Sequence, residues 1–214
     1  MKLQNKFIFL GMLDVLFFVL HDFLGCILIK GYNPITSYIS VLTADGTPHS
    51  GFLRTLIQLY QFCFLVFSAT LCYKAFKEYS LYTKIGFVLL FLVACVSIFT
   101  FGVFPMTMES SINPQNILHL LLILSIIILT NLSLFLLAFG YWKKERILSL
   151  GKMTFTVAII FLLSNLFHLT AIALHWNVLG LIQRVSAYSF LTFTFLLSYF
   201  YVKRQTHFTP SSNF

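Results

Sequence analysis

The sequence predicts an all-α polytopic membrane protein, a six-transmembrane-helix bundle with both termini in the cytoplasm. Three observations lead there: the composition, six long apolar runs, and a lopsided distribution of basic residues. Of 214 residues, 59% are hydrophobic and 9% charged, whereas a soluble domain carries about 25% charged residues. A bilayer core of about 30 Å takes roughly 20 apolar residues per helical span, so six spans use about 120 residues. What remains suffices for short connections, and residues 1-214 read as a single membrane domain.

The runs fall at about 7–29, 54–75, 85–104, 116–140, 153–175 and 183–202. They are continuously apolar, without the strand-length alternation of a membrane β-barrel. Lys2 and Lys6 before Phe7–Leu20 imitate a secretory leader. No small-residue cleavage pattern follows, and the run continues through His21 and Asp22 to Ile29, so it is expected to stay as the first span.

Lys2, Lys6, Lys74, Lys77, Lys84, Lys143, Lys144, Arg146, Lys152, Lys203 and Arg204 flank one side of the spans, and Lys30, Arg54 and Arg184 the other. Eleven against three is the bias that places the richer side in the cytoplasm. Tyr79, Tyr82, Tyr141, Trp142, Tyr199 and Tyr201 fall at the inner boundary and Tyr32, Tyr38 and Trp176 at the outer one, as aromatic belts. The expected location is therefore the cytoplasmic (inner) membrane, multi-pass, N-in and C-in.

The formal charge of +8 does not indicate nucleic acid, because the basic residues form short clusters between apolar runs rather than a continuous stripe. Such clusters orient spans beside an anionic leaflet. Cys26, Cys63, Cys72 and Cys95 all lie within or beside apolar runs without metal-site or redox spacing, and read as packing residues. No internal repeat of the transporter kind is evident.

The connection 30-53 is long and rich in Asn, Pro, Ser, Thr and Gly. Its centre, Ile35–Leu42, reads as a short amphipathic helix or turn lying on the outer surface, capped by Asn33-Pro34. Long loops on rigid scaffolds are where binding residues tend to sit.

Ionisable side chains inside a span are costly and mark candidate sites. Asp14, His21, Asp22 and Gly25 share one face of span 1; Arg54, Gln58, Gln61 and Ser68 form a stripe on span 2. Ser164, Asn165, His168 and His175 line span 5, while His119 opens span 4 and Gln183-Arg184 open span 6. With the N-terminus inside, all but Asp14 converge at the outer level, and a shared polar cavity is expected there. Asp22 has two candidate partners at that level, Arg54 and Arg184.

Three chemistries fit such a cavity. His21, Asp22, His119 and His168 are the candidate catalytic residues. No cofactor is expected; were a metal held, it would be zinc on those four, with three ligands and a water making a hydrolytic site, although the spacing is not HExxH. A metal-free site would pair a histidine, activated by Asp22, with the hydroxyl of Ser37 or Ser40. A binding site would use Arg54 and Arg184 for an anionic head group, with Gln58, His175, Gln183, Ser37 and Ser40 completing its hydrogen bonds.

Tyr32-Asn33-Pro34-Ile35 with Ser37 and Ser40, Phe104-Pro105, His119, and Gly180-Leu181-Ile182-Gln183-Arg184 together resemble a family of prokaryotic six-span membrane proteins, domain of unknown function 998. The resemblance covers nearly the whole chain and implies the six-span topology and the location of a site, but no activity. Members of that family often carry an acidic residue after the Phe-Pro step; here Met106 and Thr107 follow, and the nearest acid is Glu109.

The expected function is binding, with or without modification, of a lipid or other amphipathic ligand in an outward-facing His/Asp/Arg pocket. A non-enzymatic accessory or sensor subunit is the alternative, and a metal-dependent intramembrane hydrolase a second. Membrane lipids are the expected partners, joined by a membrane protein in the sensor reading; nucleic acid is not expected.

Overall fold

The computed structural model describes residues 7–108 and 113–204; Lys2, Lys6 and Glu109 lie outside them. Six helices are long and apolar enough to cross a membrane. They are α1 (Leu10–Leu28), α2 (Ser50–Glu78), α3 (Leu81–Ile98), α4 (Pro114–Phe139), α5 (Leu148–Ala173) and α6 (Leu179–Arg204), and among the described residues there is no strand. Helices α3 and α4 each run on into a π-helical turn, Phe99–Val103 and Gly140–Lys144. The chain is thus an all-helical, multi-pass membrane protein.

Each helix packs on the next in sequence, and α6 returns to α1, so the six close into a ring. The connections after α2, α4 and α5 are a few residues long, which makes neighbours antiparallel. One end of the bundle gathers the lysines from Lys74 to Lys203 and is called the basic end here. The other gathers the connections after α1, α3 and α5 and is the cap end.

Aromatic side chains fill the middle of the ring. Phe64, Phe67, Phe87 and Phe193 are all but fully buried. Phe190 lies edge-on to Phe64 at 5.6 Å and tilted against Phe161 and Phe193, each at 6.3 Å. The outward surface is equally apolar: Leu120, Leu121, Leu124, Ile128 and Leu132 on α4 are all exposed. In lipid there is little hydrophobic drive between helices, so polar contacts and close packing hold them together. Gln61 of α2 donates to the Ser97 carbonyl of α3 at 2.7 Å, Ser133 of α4 to that of Gly86 at 2.8 Å, and Ser198 of α6 to that of Ile8 at 2.6 Å.

Two expectations change. The segment Ile35–Leu42 lies on the surface only at its start, where Ile35 and Thr36 are exposed. Its helical part is a 3₁₀ turn, Ile39–Thr43, whose Ile39, Ser40, Leu42 and Thr43 are buried. Leu42 inserts where Gly25 of α1 has no side chain; a Cβ there would come within 2.7 Å of the leucine. At the basic end, Tyr79, Tyr141 and Tyr201 do not form an interfacial belt. Tyr201 donates to Tyr79 at 2.8 Å and shares a 3.0 Å hydrogen bond with Tyr141, and Tyr141 and Tyr201 are buried. Tyr82, Trp142 and Tyr199 remain exposed.

Replacing Phe67 by Ala removes a side chain with no exposed surface and is expected to destabilise the detergent-solubilised protein by about 3–5 kcal/mol. Phe62→Ala, on the outward face, should change stability by less than about 0.5 kcal/mol. Thermal unfolding of the two variants side by side measures the difference.

Candidate functional site at the cap end

Arg184 is the centre of the cap end. It sits in the second turn of α6, is 8% exposed, and finds an acceptor for every guanidinium N–H. Nε and Nη2 grip the two oxygens of Asp22 on α1, at 3.1 and 2.7 Å. Nη1 donates to the carbonyls of Pro34, Ser37 and Gly180 at 2.6, 3.2 and 3.2 Å, and Nη2 also donates to the Tyr32 hydroxyl at 2.7 Å. Tyr188, one turn further along α6, donates to Asp22 Oδ2 at 2.8 Å.

The loop after α1 is thereby fastened onto the start of α6. Tyr32 passes its own proton to the carbonyls of Ser37 and Tyr38 at 3.2 and 3.0 Å. Burial pushes the Tyr32 and Tyr38 phenols up from their ordinary range, so both stay protonated. Gln183 accepts from the Ile39 N–H at 2.7 Å, and the Leu181 N–H donates to the Ile35 carbonyl at 2.9 Å. Gly180 is required for this approach, since a Cβ would stand 2.2 Å from the Ser37 carbonyl oxygen.

A second polar cluster closes the α3–α4 side. Arg54 does not pair with Asp22; it bonds Asp45 Oδ1 at 2.5 Å and the Thr43 carbonyl at 2.8 Å. The Asp45 backbone pairs with the chain after Phe104-Pro105, its N–H donating to the Met106 carbonyl at 2.9 Å. From the first turns of α4, Gln115 donates to the Pro105 carbonyl at 2.7 Å and Asn116 accepts from the Thr107 N–H at 2.8 Å. His119 Nδ1 lies 3.1 Å from the Thr100 carbonyl and 2.9 Å from that of Phe104. Both partners are acceptors, so Nδ1 carries the proton and Nε2 presents its lone pair, buried and without a partner. Ser40 belongs here, its hydroxyl directed at Met106 Sδ at 3.5 Å.

The residues expected to share one cavity are therefore divided. Asp22, Arg184, Gln183 and the Ser37 backbone form one cluster, and Arg54, Ser40 and His119 another. His21 is 1% exposed on α1, and neither ring nitrogen has a hydrogen-bond partner. His168 is half-buried on α5, its ring 5.7 Å from that of Tyr38, with Nδ1 buried and unpartnered. Gln58 and His175 are exposed instead of lining the interior. Gln58 lies on the outward face of α2. His175 ends α5 in a left-handed conformation, φ 53°, which turns it away from the stripe begun by Ser164. Among the described residues no three His, Cys, Asp or Glu side chains are placed to share a metal ion.

Sequence reasoning passed over Tyr188, Asp45, Gln115 and Asn116. Two of these carried a signal. Tyr188 stands one turn beyond Arg184 on the same helical face. Asp45 is the one acidic residue between Asp22 and Arg54, in the loop that leads to α2.

Asp22→Asn strands a buried guanidinium, which should destabilise the protein by about 3–5 kcal/mol. Adding Arg184→Gln should restore much of that loss, whereas adding Arg54→Gln should not. Thermal unfolding of the two single variants and two doubles completes the cycle, and rescue by Arg54→Gln would overturn the pairing.

No curated protein and no solved structure matches the chain. A family model described as protein of unknown function (DUF998) matches residues 12–199, from two residues before Asp14 to near the end of α6. That stretch contains both clasps, with the Tyr32–Ile35, Phe104-Pro105, His119 and Gly180–Arg184 segments that build them. The chain belongs to the DUF998 family.

Proposed function

We propose that the protein binds an amphipathic membrane molecule at its cap end, with His168 and Tyr38 receiving the polar group and the neighbouring helix surface receiving the apolar part. The observation behind this reading is the unpartnered Nδ1 of His168, beneath the Tyr38 ring on the membrane-facing side of α5. A buried imidazole nitrogen without a partner forgoes a hydrogen bond that a ligand can supply. Phe167 and Leu169 on either side of it are exposed, and Trp176 meets Phe167 edge-on at 5.4 Å, so a lipid-like molecule arriving sideways finds apolar surface next to the imidazole.

The arginines take a different role from the one expected. Arg184 is saturated by protein acceptors and so is not available as an anion receptor, while Arg54 is held by Asp45 and Thr43 through Nη2 and Nε. With Nδ1 of His168 in its unprotonated tautomer, the ligand this arrangement suits is one whose head group donates a hydrogen bond, such as a hydroxyl or an ammonium.

The cap end faces outward and the basic end the cytoplasm in this reading. Three basic residues stand on the cap side against eleven on the other, the asymmetry that orients spans. In a cysteine-free background, a single cysteine at the exposed Asn177 should react with an impermeant thiol reagent added outside intact cells, and one at the exposed Ser149 should not. The reverse pattern would overturn the orientation.

Binding is tested by native mass spectrometry of protein purified in mild detergent and mixed with phosphatidylethanolamine or phosphatidylglycerol. Wild type should retain one lipid per chain, with phosphatidylethanolamine preferred for its ammonium. His168→Ala and Tyr38→Ala should each reduce retention several-fold, while Gln58→Ala should not. Equal retention by wild type and His168→Ala would remove the reading.

A further inference from the structure

Below the Asp22–Arg184 pair, toward the basic end, the same face of α1 carries a second acid. Asp14 is 0% exposed, and neither carboxyl oxygen has a hydrogen-bond partner. His21, seven residues on and on the same buried face, is likewise without a partner at both ring nitrogens. The titratable groups packed around Asp14 are Tyr60 and Cys63 of α2. Those around His21 are Asp22 on its own helix and Arg184 of α6, which are bonded to each other. Among the described residues no Lys or Arg is placed to balance Asp14.

An ionised carboxylate in a dry helical bundle is untenable without compensation. A metal cation needs several oxygen ligands, and no polar side chain stands within hydrogen-bond distance of either Asp14 oxygen. A proton cancels the charge and requires no further ligand. We infer that Asp14 and His21 form an internal proton-binding face on α1, with one exchangeable proton held on the Asp14 carboxyl group. Release of that proton leaves the carboxylate and one hydronium equivalent, and His21 is the next basic group toward the cap end.

At 1.5 Å per residue, the two side chains lie about 10 Å apart along the helix axis, too far for direct transfer. Phe18 occupies the interval: its ring meets those of His21 at 6.0 Å, Tyr60 at 5.3 Å and Tyr188 at 6.2 Å. Exchange between Asp14 and the cap end therefore requires Phe18 to swing aside and admit water.

Infrared difference spectroscopy of the purified, lipid-reconstituted protein tests this. Wild type at neutral pH should show the carbonyl stretch of a protonated carboxylic acid, shifting slowly on transfer to deuterated buffer. The band should vanish in Asp14→Asn, persist at a displaced frequency in Asp14→Glu, and remain unchanged in Asp45→Asn. Phe18→Ala should accelerate the deuterium shift several-fold. Absence of the band in wild type, or its persistence in Asp14→Asn, would overturn the assignment. Loss of the wild-type band when sodium replaces choline in the buffer would also overturn it, in favour of a metal cation. Should Asp14→Asn fail to fold, Asp14→Glu and Phe18→Ala decide the matter through the band position and the exchange rate.

Discussion

The bidentate bond between Arg184 and Asp22 is the interaction on which the cap end rests. In lipid a guanidinium and a carboxylate are each prohibitive alone and tolerable only together, with the remaining N–H groups also satisfied. That requirement extends the pair into an assembly. Three N–H groups remain after Asp22 is served, and they draw in the Tyr32 hydroxyl and the carbonyls of Pro34, Ser37 and Gly180. The Pro34 and Ser37 carbonyls belong to loop backbone at the membrane boundary, where unpaired groups are costly. One ion pair thus joins α1 to α6, completes the helical ring, and supplies the hydrogen bonds that let a proline-containing loop rest on the bundle.

The Arg54 cluster repeats this logic with a weaker ion pair, half exposed at Asp45, and more amide chemistry. Gln115, Asn116 and His119 lie in the first two turns of α4, where the helix has just been started by the Asn113 cap and Pro114. Their side chains satisfy the chain leaving the π-helical turn of α3, where wider winding leaves carbonyls such as Thr100 and Phe104 in need of donors. At the basic end the connection after α4 is held by Glu145, which accepts from the Ser80 N–H at 2.7 Å and the Thr83 hydroxyl at 3.0 Å. The irregular segments after α1, α3 and α4 are each tied to the bundle by a polar side chain.

The six spans were legible because hydropathy reports depth, and depth follows from chain length. The direction each side chain faces around its helix was legible only in part. On α1 the spacing of Asp14, His21, Asp22 and Gly25 correctly grouped a buried face. On α2 the same reasoning put Gln58 inside with Gln61, and only Gln61 is buried. A helix in lipid is apolar on both sides, so a single glutamine carries little information about its direction. His175 failed for another reason: the helix ends just before it, and a residue beyond the C-terminus no longer follows the helical period. The choice between Arg54 and Arg184 for Asp22 was open because both arginines stand at the same depth, and lateral position around the ring is decided by packing.

The family motifs acquire a physical meaning from this arrangement. Tyr32-Asn33-Pro34-Ile35 and Gly180–Arg184 are distant in sequence but are the two halves of one clasp, and Phe104-Pro105 and His119 are the two halves of another. What they secure is the cap, since their donors and acceptors are largely matched to one another. Among the described residues, buried polar atoms without partners lie elsewhere, on Asp14, His21, His168, Asn131 and Thr154, together with Nε2 of His119. In a membrane interior an unmatched polar atom is costly in proportion to how thoroughly it is buried. The matched groups therefore account for stability, and the unmatched ones are where any exchange with protons or ligands has to take place.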